Sequence, residues 1–193
     1  MVYKGSEEMR TIYIVLTKSG TYLSKFIRAV TRANYTHASM SFEEKLQPLY
    51  SFSRFQTFPP LPEGLHNEEL DVGVYKKYSH IPCAVYKIEV DEETYQKAKG
   101  EVEKMLENAD YYRFNIIGLW LCGCRIPFTR KRYYFCSQFV SHILETANAI
   151  ELPHRPSLMR PSDYTKIESL ECVFEGRLDE LKANLNTYNK ILA

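Results

Sequence analysis

The residue best placed for chemistry is Cys136, in the run Arg132-Tyr133-Tyr134-Phe135-Cys136-Ser137-Gln138-Phe139-Val140-Ser141-His142-Ile143-Leu144. Here an aromatic, strand-like approach gives way to a helix that starts at the thiol. A helix N-terminus carries partial positive charge and N–H groups with no intrahelical acceptor. Both favour the thiolate, which is the nucleophilic form of cysteine. A thiolate needs a base within hydrogen-bond reach, and that base needs an orienting partner. Five histidines compete for the role. His66 and His80 fall in loop-like stretches, and His154 lies among prolines. His142 belongs to the cysteine helix but points away from the thiol's face. His37 opens the strand-like run Thr36-His37-Ala38-Ser39-Met40-Ser41-Phe42 and follows a polar turn, which makes it the candidate base. The plainer reading is a buried, inert cysteine and a histidine that closes a turn.

The other four cysteines have stronger structural explanations. Cys83 and Cys172 read as strand fillers. Cys122 and Cys124 lie in an apolar helix, and with no second pair of ligands nearby they make a poor metal site. No cofactor or metal is expected.

Several elements must position these residues. Arg10–Thr17 is β-branched and apolar, a buried strand. Tyr22–Arg32 has apolar residues at helical spacing with Lys25, Arg28 and Arg32 opposite. His37–Phe42 and Leu49–Phe55 read as a hairpin joined by Glu43-Glu44-Lys45-Leu46, followed by a loop containing Pro59, Pro60, Pro62 and Gly64. Cys83–Val90 reads as a strand, and the acidic start Asp91-Glu92-Glu93 introduces a helix over Thr94–Asn108. Phe114–Cys124 reads as a buried helix, and Cys136–Ala147 as the helix carrying the thiol. Leu152–Pro161 is loop, Cys172–Phe174 a late strand, and Arg177–Leu192 a terminal amphipathic helix. Mixed order with early hairpins gives an α+β class. We expect one domain over 1–193, with 1–9 a flexible N-terminus and 177–193 a C-terminal helix.

The 193 residues include 25 basic and 24 acidic side chains, so no dominant pull toward nucleic acid or anionic membrane is indicated. The N-terminus lacks the apolar core of a secretory signal, and the stretch Phe114–Phe128 is too short and too polar to span a bilayer. Five cysteines without an export signal suggest reduced thiols and a cytoplasmic location.

Tyr35-Thr36-His37-Ala38-Ser39-Met40, followed much later by Tyr133-Tyr134-Phe135-Cys136-Ser137-Gln138-Phe139-Val140, resembles the circularly permuted branch of the NlpC-type papain-like cysteine peptidase superfamily. That branch includes the bacterial YiiX/YebB-like proteins and the lecithin:retinol acyltransferase-like proteins. Histidine before cysteine is the order of the permuted branch. The segment Pro156-Ser157-Leu158-Met159-Arg160-Pro161-Ser162-Asp163-Tyr164 is similar to the one that follows the cysteine helix in YiiX-like proteins. The resemblance spans roughly Arg10 to Arg177. It implies a papain-like fold, an antiparallel sheet packed against the cysteine helix, with Cys136 the nucleophile and His37 the base. It also implies a polar third member on the strand beside the histidine strand. If Glu44-Lys45 is the turn, His37 lies opposite Phe52, and a shift of one residue sets it opposite Ser51 or Ser53. Ser51 is the expected third residue, where family members carry a carboxylate, amide or imidazole.

These readings lead to a cysteine hydrolase of amidase or peptidase type, working through a thioacyl enzyme on an amide or ester. The Cys136 N–H would serve the oxyanion, and Tyr133 and Tyr134 would line the cleft. The alternatives are an acyltransferase on a lipid or acyl substrate, or a binding module that keeps the fold without the chemistry. A third possibility is assembly through Leu178, Leu181, Leu185, Tyr188 and Leu192, which approach a heptad seam. The partner is a small molecule, peptide or lipid-like substrate rather than nucleic acid. No integral membrane segment is expected, and the oligomeric state is open.

Overall fold

The computed structural model describes residues 8–18, 34–53 and 64–191. The expected helix over Tyr22–Arg32, Pro59, Pro60 and Pro62, and all but the last two residues of the N-terminal arm lie outside these. The protein is α+β. Its main sheet has six antiparallel strands in the order β4-β3-β2-β1-β5-β8. These are β1 (Arg10–Thr17), β2 (His37–Ser41), β3 (Leu49–Ser53), β4 (Gly64–Glu68), β5 (Pro82–Val90) and β8 (Glu171–Arg177). A separate parallel pair joins β6 (Arg113–Phe114) to β7 (Tyr133–Tyr134). The helices are α1 (Gly73–Lys77), α2 (Glu92–Glu107), α3 (Ile116–Gly123), α4 (Cys136–Thr146) and α5 (Leu178–Ile191).

Strand alternation divides the apolar residues between two layers. On one face Ile12, Ile14, Leu16, Ala38, Met40, Phe52 and Ile88 pack with Tyr95, Ala98, Val102 and Met105 of α2 and Phe139, Val140, Ile143 and Leu144 of α4. On the other, Val15, Leu49, Cys83 and Val85 meet Leu70, Tyr75 of α1 and Leu178 and Leu181 of α5. Burying side chains of this size contributes about 1.5–3 kcal/mol each, which ties both helical layers to the sheet. Leu178, Leu181 and Leu185 of the heptad-like stripe therefore cover the protein's own sheet. The side chains of Tyr188 and Leu192 lie outside the described residues.

Local chemistry fixes the start of α2. Asp91 accepts a hydrogen bond from the Thr94 N–H at 2.7 Å, and Tyr95 donates to the Phe42 carbonyl at 3.0 Å. These bonds satisfy an orphan helix donor and a strand-end acceptor.

Three sequence expectations need correction. Gly64 does not sit in a loop but opens β4, a strand whose Gly-Leu-His-Asn-Glu sequence has low β propensity. The hairpin register is Met40 opposite Tyr50, one residue away from the Glu44-Lys45 turn prediction. Its cause is the longer connection, in which Leu46 adopts φ 54 and tucks into the core instead of lying on a tight turn. The helix α3, expected to be buried, exposes Ile116, Ile117 and Trp120.

Candidate active site

Cys136 is the first residue of α4 and His37 the first of β2. The two meet where both elements begin, close enough for the thiol and the imidazole to shift each other's pKa. Phe135 provides no side-chain cap for α4. The backbone N–H groups of Ser137 in this helix and of Ala38 in β2 favour the ionised sulfur.

One ring nitrogen is held by a carboxylate. His37 Nε2 lies 3.0 Å from Oε1 of Glu68 and 3.2 Å from Oε2. With Nε2 committed there, Nδ1 is the nitrogen left to face the sulfur. Glu68 ends β4, where it sits across from Leu49, and it is itself clamped. Ser39 donates to its Oε2 at 2.7 Å and Tyr75 of α1 donates at 3.1 Å. The ring of His66 stands 3.5 Å from its Oε1. The Ser39 hydroxyl also lies 3.2 Å from His37 Nε2.

The electrostatics follow from these contacts. Burial alone would lower the His37 pKa, but the Glu68 charge and the hydrogen bonds to Cys136 and Glu68 outweigh it and hold the imidazole well above its ordinary value. Burial alone would raise Glu68, yet the His37 charge and the bonds to His37 and His66 hold its carboxyl well below the usual range. Burial also opposes ionisation of Cys136. The His37 hydrogen bond and charge, with the two backbone N–H groups, reverse that and lower the thiol pKa. The arrangement favours a thiolate beside an imidazolium, backed by a carboxylate. By contrast, burial pushes the thiols of Cys83 and Cys122 up to about 12 and about 11, so both stay protonated.

Ser51 does not orient His37. Extending the Met40–Tyr50 register places Ser51 level with Ser39, and its buried hydroxyl has no hydrogen-bond partner among the described residues. A serine hydroxyl reaches one bond beyond Cβ and carries no charge, whereas Glu68 has the length to cross from β4. Ser53 is engaged elsewhere, 3.2 Å from His66 Nε2, while the other nitrogen of His66 donates to the Gly64 carbonyl at 3.1 Å. The sequence reading missed Glu68 because β4 was taken for loop. The available signal was a histidine and a carboxylate two residues apart, which share a face if the segment is extended.

Tyr134 is half-buried and packs among Phe52 at 5.4 Å, Tyr112 at 6.1 Å and the His142 ring at 5.1 Å. Tyr133 lies beneath the Arg130 guanidinium, 3.7 Å away.

A further set of contacts fixes the start of α4. The Ser137 hydroxyl donates to the Met159 carbonyl at 2.7 Å. Tyr164 donates to the Ser137 carbonyl at 2.9 Å and lies 2.6 Å from the Ser141 hydroxyl. Ser162 reaches Tyr35 on the approach to His37, with its hydroxyl 3.4 Å from both the Tyr35 carbonyl and N–H. The Pro156–Tyr164 segment thus connects the nucleophile's helix to the base's strand.

No family model matches this chain, and no curated protein matches it. No helix among the described residues is long and apolar enough to cross a membrane.

Proposed function

We propose that the protein is a cysteine hydrolase on a circularly permuted, NlpC-type papain-like fold, cleaving an amide or ester through a thioacyl-enzyme intermediate. The observation that carries this reading is the buried relay Cys136–His37–Glu68, with the thiol at a helix N-terminus and its pKa lowered. In this scheme the Cys136 proton rests on His37. The thiolate attacks the substrate carbonyl carbon, and the oxyanion accepts the N–H of Cys136, which as the first helical residue has no intrahelical acceptor. His37 gives its proton to the departing amine or alkoxide as the carbon–heteroatom bond breaks, leaving the acyl group on sulfur. Water then attacks the thioester while His37 takes its proton, and the thiolate leaves. Glu68 keeps the ring oriented and stabilises its cationic form without accepting the proton itself. A carboxylate behind His37 supports the catalytic reading over a binding module that has lost its chemistry.

Intact-mass measurement after incubation with reactive acyl esters of varied chain length tests the proposal. A single acyl adduct is expected on the wild type, discharged by hydroxylamine and absent from Cys136→Ser. No adduct with any ester, or an adduct retained by Cys136→Ser, would overturn it.

A further inference from the structure

The chain's charges balance overall but not locally. No acidic residue occurs between Asp110 and Glu145, a stretch that contains Arg113, Arg125, Arg130, Lys131 and Arg132. All five are exposed. The same stretch includes α3, which is apolar yet turned outward. Gly118 and Cys122 face inward, whereas Ile116 is 39% exposed, Ile117 54% and Trp120 52%. At one hundred degrees per residue these three fall on a single arc of the helix. Ile126, just past the helix, is 51% exposed. The inward side of α3 is firmly anchored. Asn115 caps its first turn by accepting the Gly118 N–H at 2.9 Å and donates to Gln138 at 3.2 Å. Arg160 binds the carbonyls of Cys122 at 3.1 Å and Gly123 at 2.9 Å, at the helix end. A helix held this firmly on one face presents its other face as a fixed surface.

We infer that the α3 face formed by Ile116, Ile117 and Trp120, with Ile126 just beyond it and the exposed basic side chains of the same stretch, docks on an anionic phospholipid bilayer. A tryptophan and aliphatic residues beside arginine and lysine match the boundary between headgroups and acyl chains. Charge decides for a lipid surface, because an uninterrupted cationic stretch repels a second copy of itself. A helix of eight residues cannot span the bilayer, so the contact is interfacial. Arg125 is held 3.7 Å from Asp163 and the Arg113 guanidinium donates to the carbonyls of Asp110 and Tyr112, which leaves Arg130, Lys131 and Arg132 as the principal headgroup contacts. The inference is independent of the reaction at Cys136. It does bring that surface near the site, since Cys122 of α3 and Phe114 of β6 pack with Phe135, the residue before the thiol.

Trp120 is the only tryptophan in the chain, so its fluorescence reports on this surface alone. The test uses the full chain with vesicles of phosphatidylcholine, or of phosphatidylcholine and phosphatidylserine in equal parts. With phosphatidylserine present, Trp120 emission is expected to shift to the blue, to be quenched by brominated acyl chains, and to revert at high salt. Each cation near an anionic surface changes partitioning by roughly fivefold, so Lys131→Glu is expected to weaken binding by more than that factor. Ile117→Ser is expected to weaken it without changing the salt dependence. Cys136→Ser is expected to bind as the wild type does, which separates failure of this proposal from failure of the catalytic one. An unchanged emission spectrum with anionic vesicles would overturn it. So would a blue shift that tracks protein concentration without lipid, which would make this face a contact between copies.

Discussion

Replacing Glu68 by Gln removes one charge from the relay while keeping the side chain's shape. Glu68 Oε1 lies 3.0 Å from His37 Nε2, and both side chains are almost fully enclosed. At an effective dielectric of about 20, two unit charges at that separation attract by about 5 kcal/mol, before the cost of burying them is counted. Measured losses on breaking buried pairs are about 3–5 kcal/mol, and an isosteric amide that still accepts a hydrogen bond belongs at the low end. A tenfold change in thiolate population needs only about 1.4 kcal/mol. If about a quarter of the attraction reaches the sulfur through His37, alkylation of Cys136 at neutral pH slows about tenfold in Glu68→Gln. The assay is iodoacetamide modification across pH, read by peptide mass. Peptide mass is needed because Cys124 and Cys172 are exposed thiols that alkylate as well, whereas Cys136 is buried. Wild-type Cys136 is expected to titrate below the ordinary thiol value of 9.0, and Glu68→Gln is expected to move that midpoint upward. Superimposable profiles for the two proteins would refute the relay, as would an equal effect from Ser51→Ala.

Four other outcomes follow from the same contacts. Ser51→Ala is expected to leave alkylation unchanged and to alter urea stability by no more than about 1 kcal/mol, because the hydroxyl it removes makes no hydrogen bond among the described residues. Tyr75→Phe deletes one donor to Glu68 and is expected to cost about 1–3 kcal/mol, measured by denaturant unfolding at constant slope. The His37–Glu68 pair also dictates a pH profile. The lowered Glu68 contributes stability above its ordinary 4.5 that is lost as pH falls through its native value. The raised His37 contributes stability below its ordinary 6.5 that is lost as pH rises through its native value. The pair's contribution is therefore largest between about 4.5 and 6.5 and flattens in Glu68→Gln. Arg160→Met removes the side-chain donors to the Cys122 and Gly123 carbonyls, and amide exchange across Ile116–Gly123 is expected to accelerate about tenfold while α4 is unaffected.

The parts legible in the sequence were those set by short-range pattern. β1, β5, α2 and α4 declared themselves through β-branched runs, helical spacing and an acidic N-terminus. Cys136 stood out because its neighbours dictate a strand-to-helix transition at that residue. His37 could be chosen among five histidines because it opens a strand. The third member of the relay was not legible. It depends on a register of one residue, set by how Leu46 folds into the core, and on a strand whose residues have little intrinsic preference for extension. Pairing energy with β3 makes β4 a strand, and no local pattern encodes it. The orientation of α3 was equally hidden, because an apolar run does not state which side will find a core. By itself the sequence determined the α+β class and where a nucleophile and its base would begin their elements. Only the tertiary structure brought Glu68 to His37 and turned Ile117 and Trp120 outward, because both outcomes depend on contacts between segments far apart in the chain.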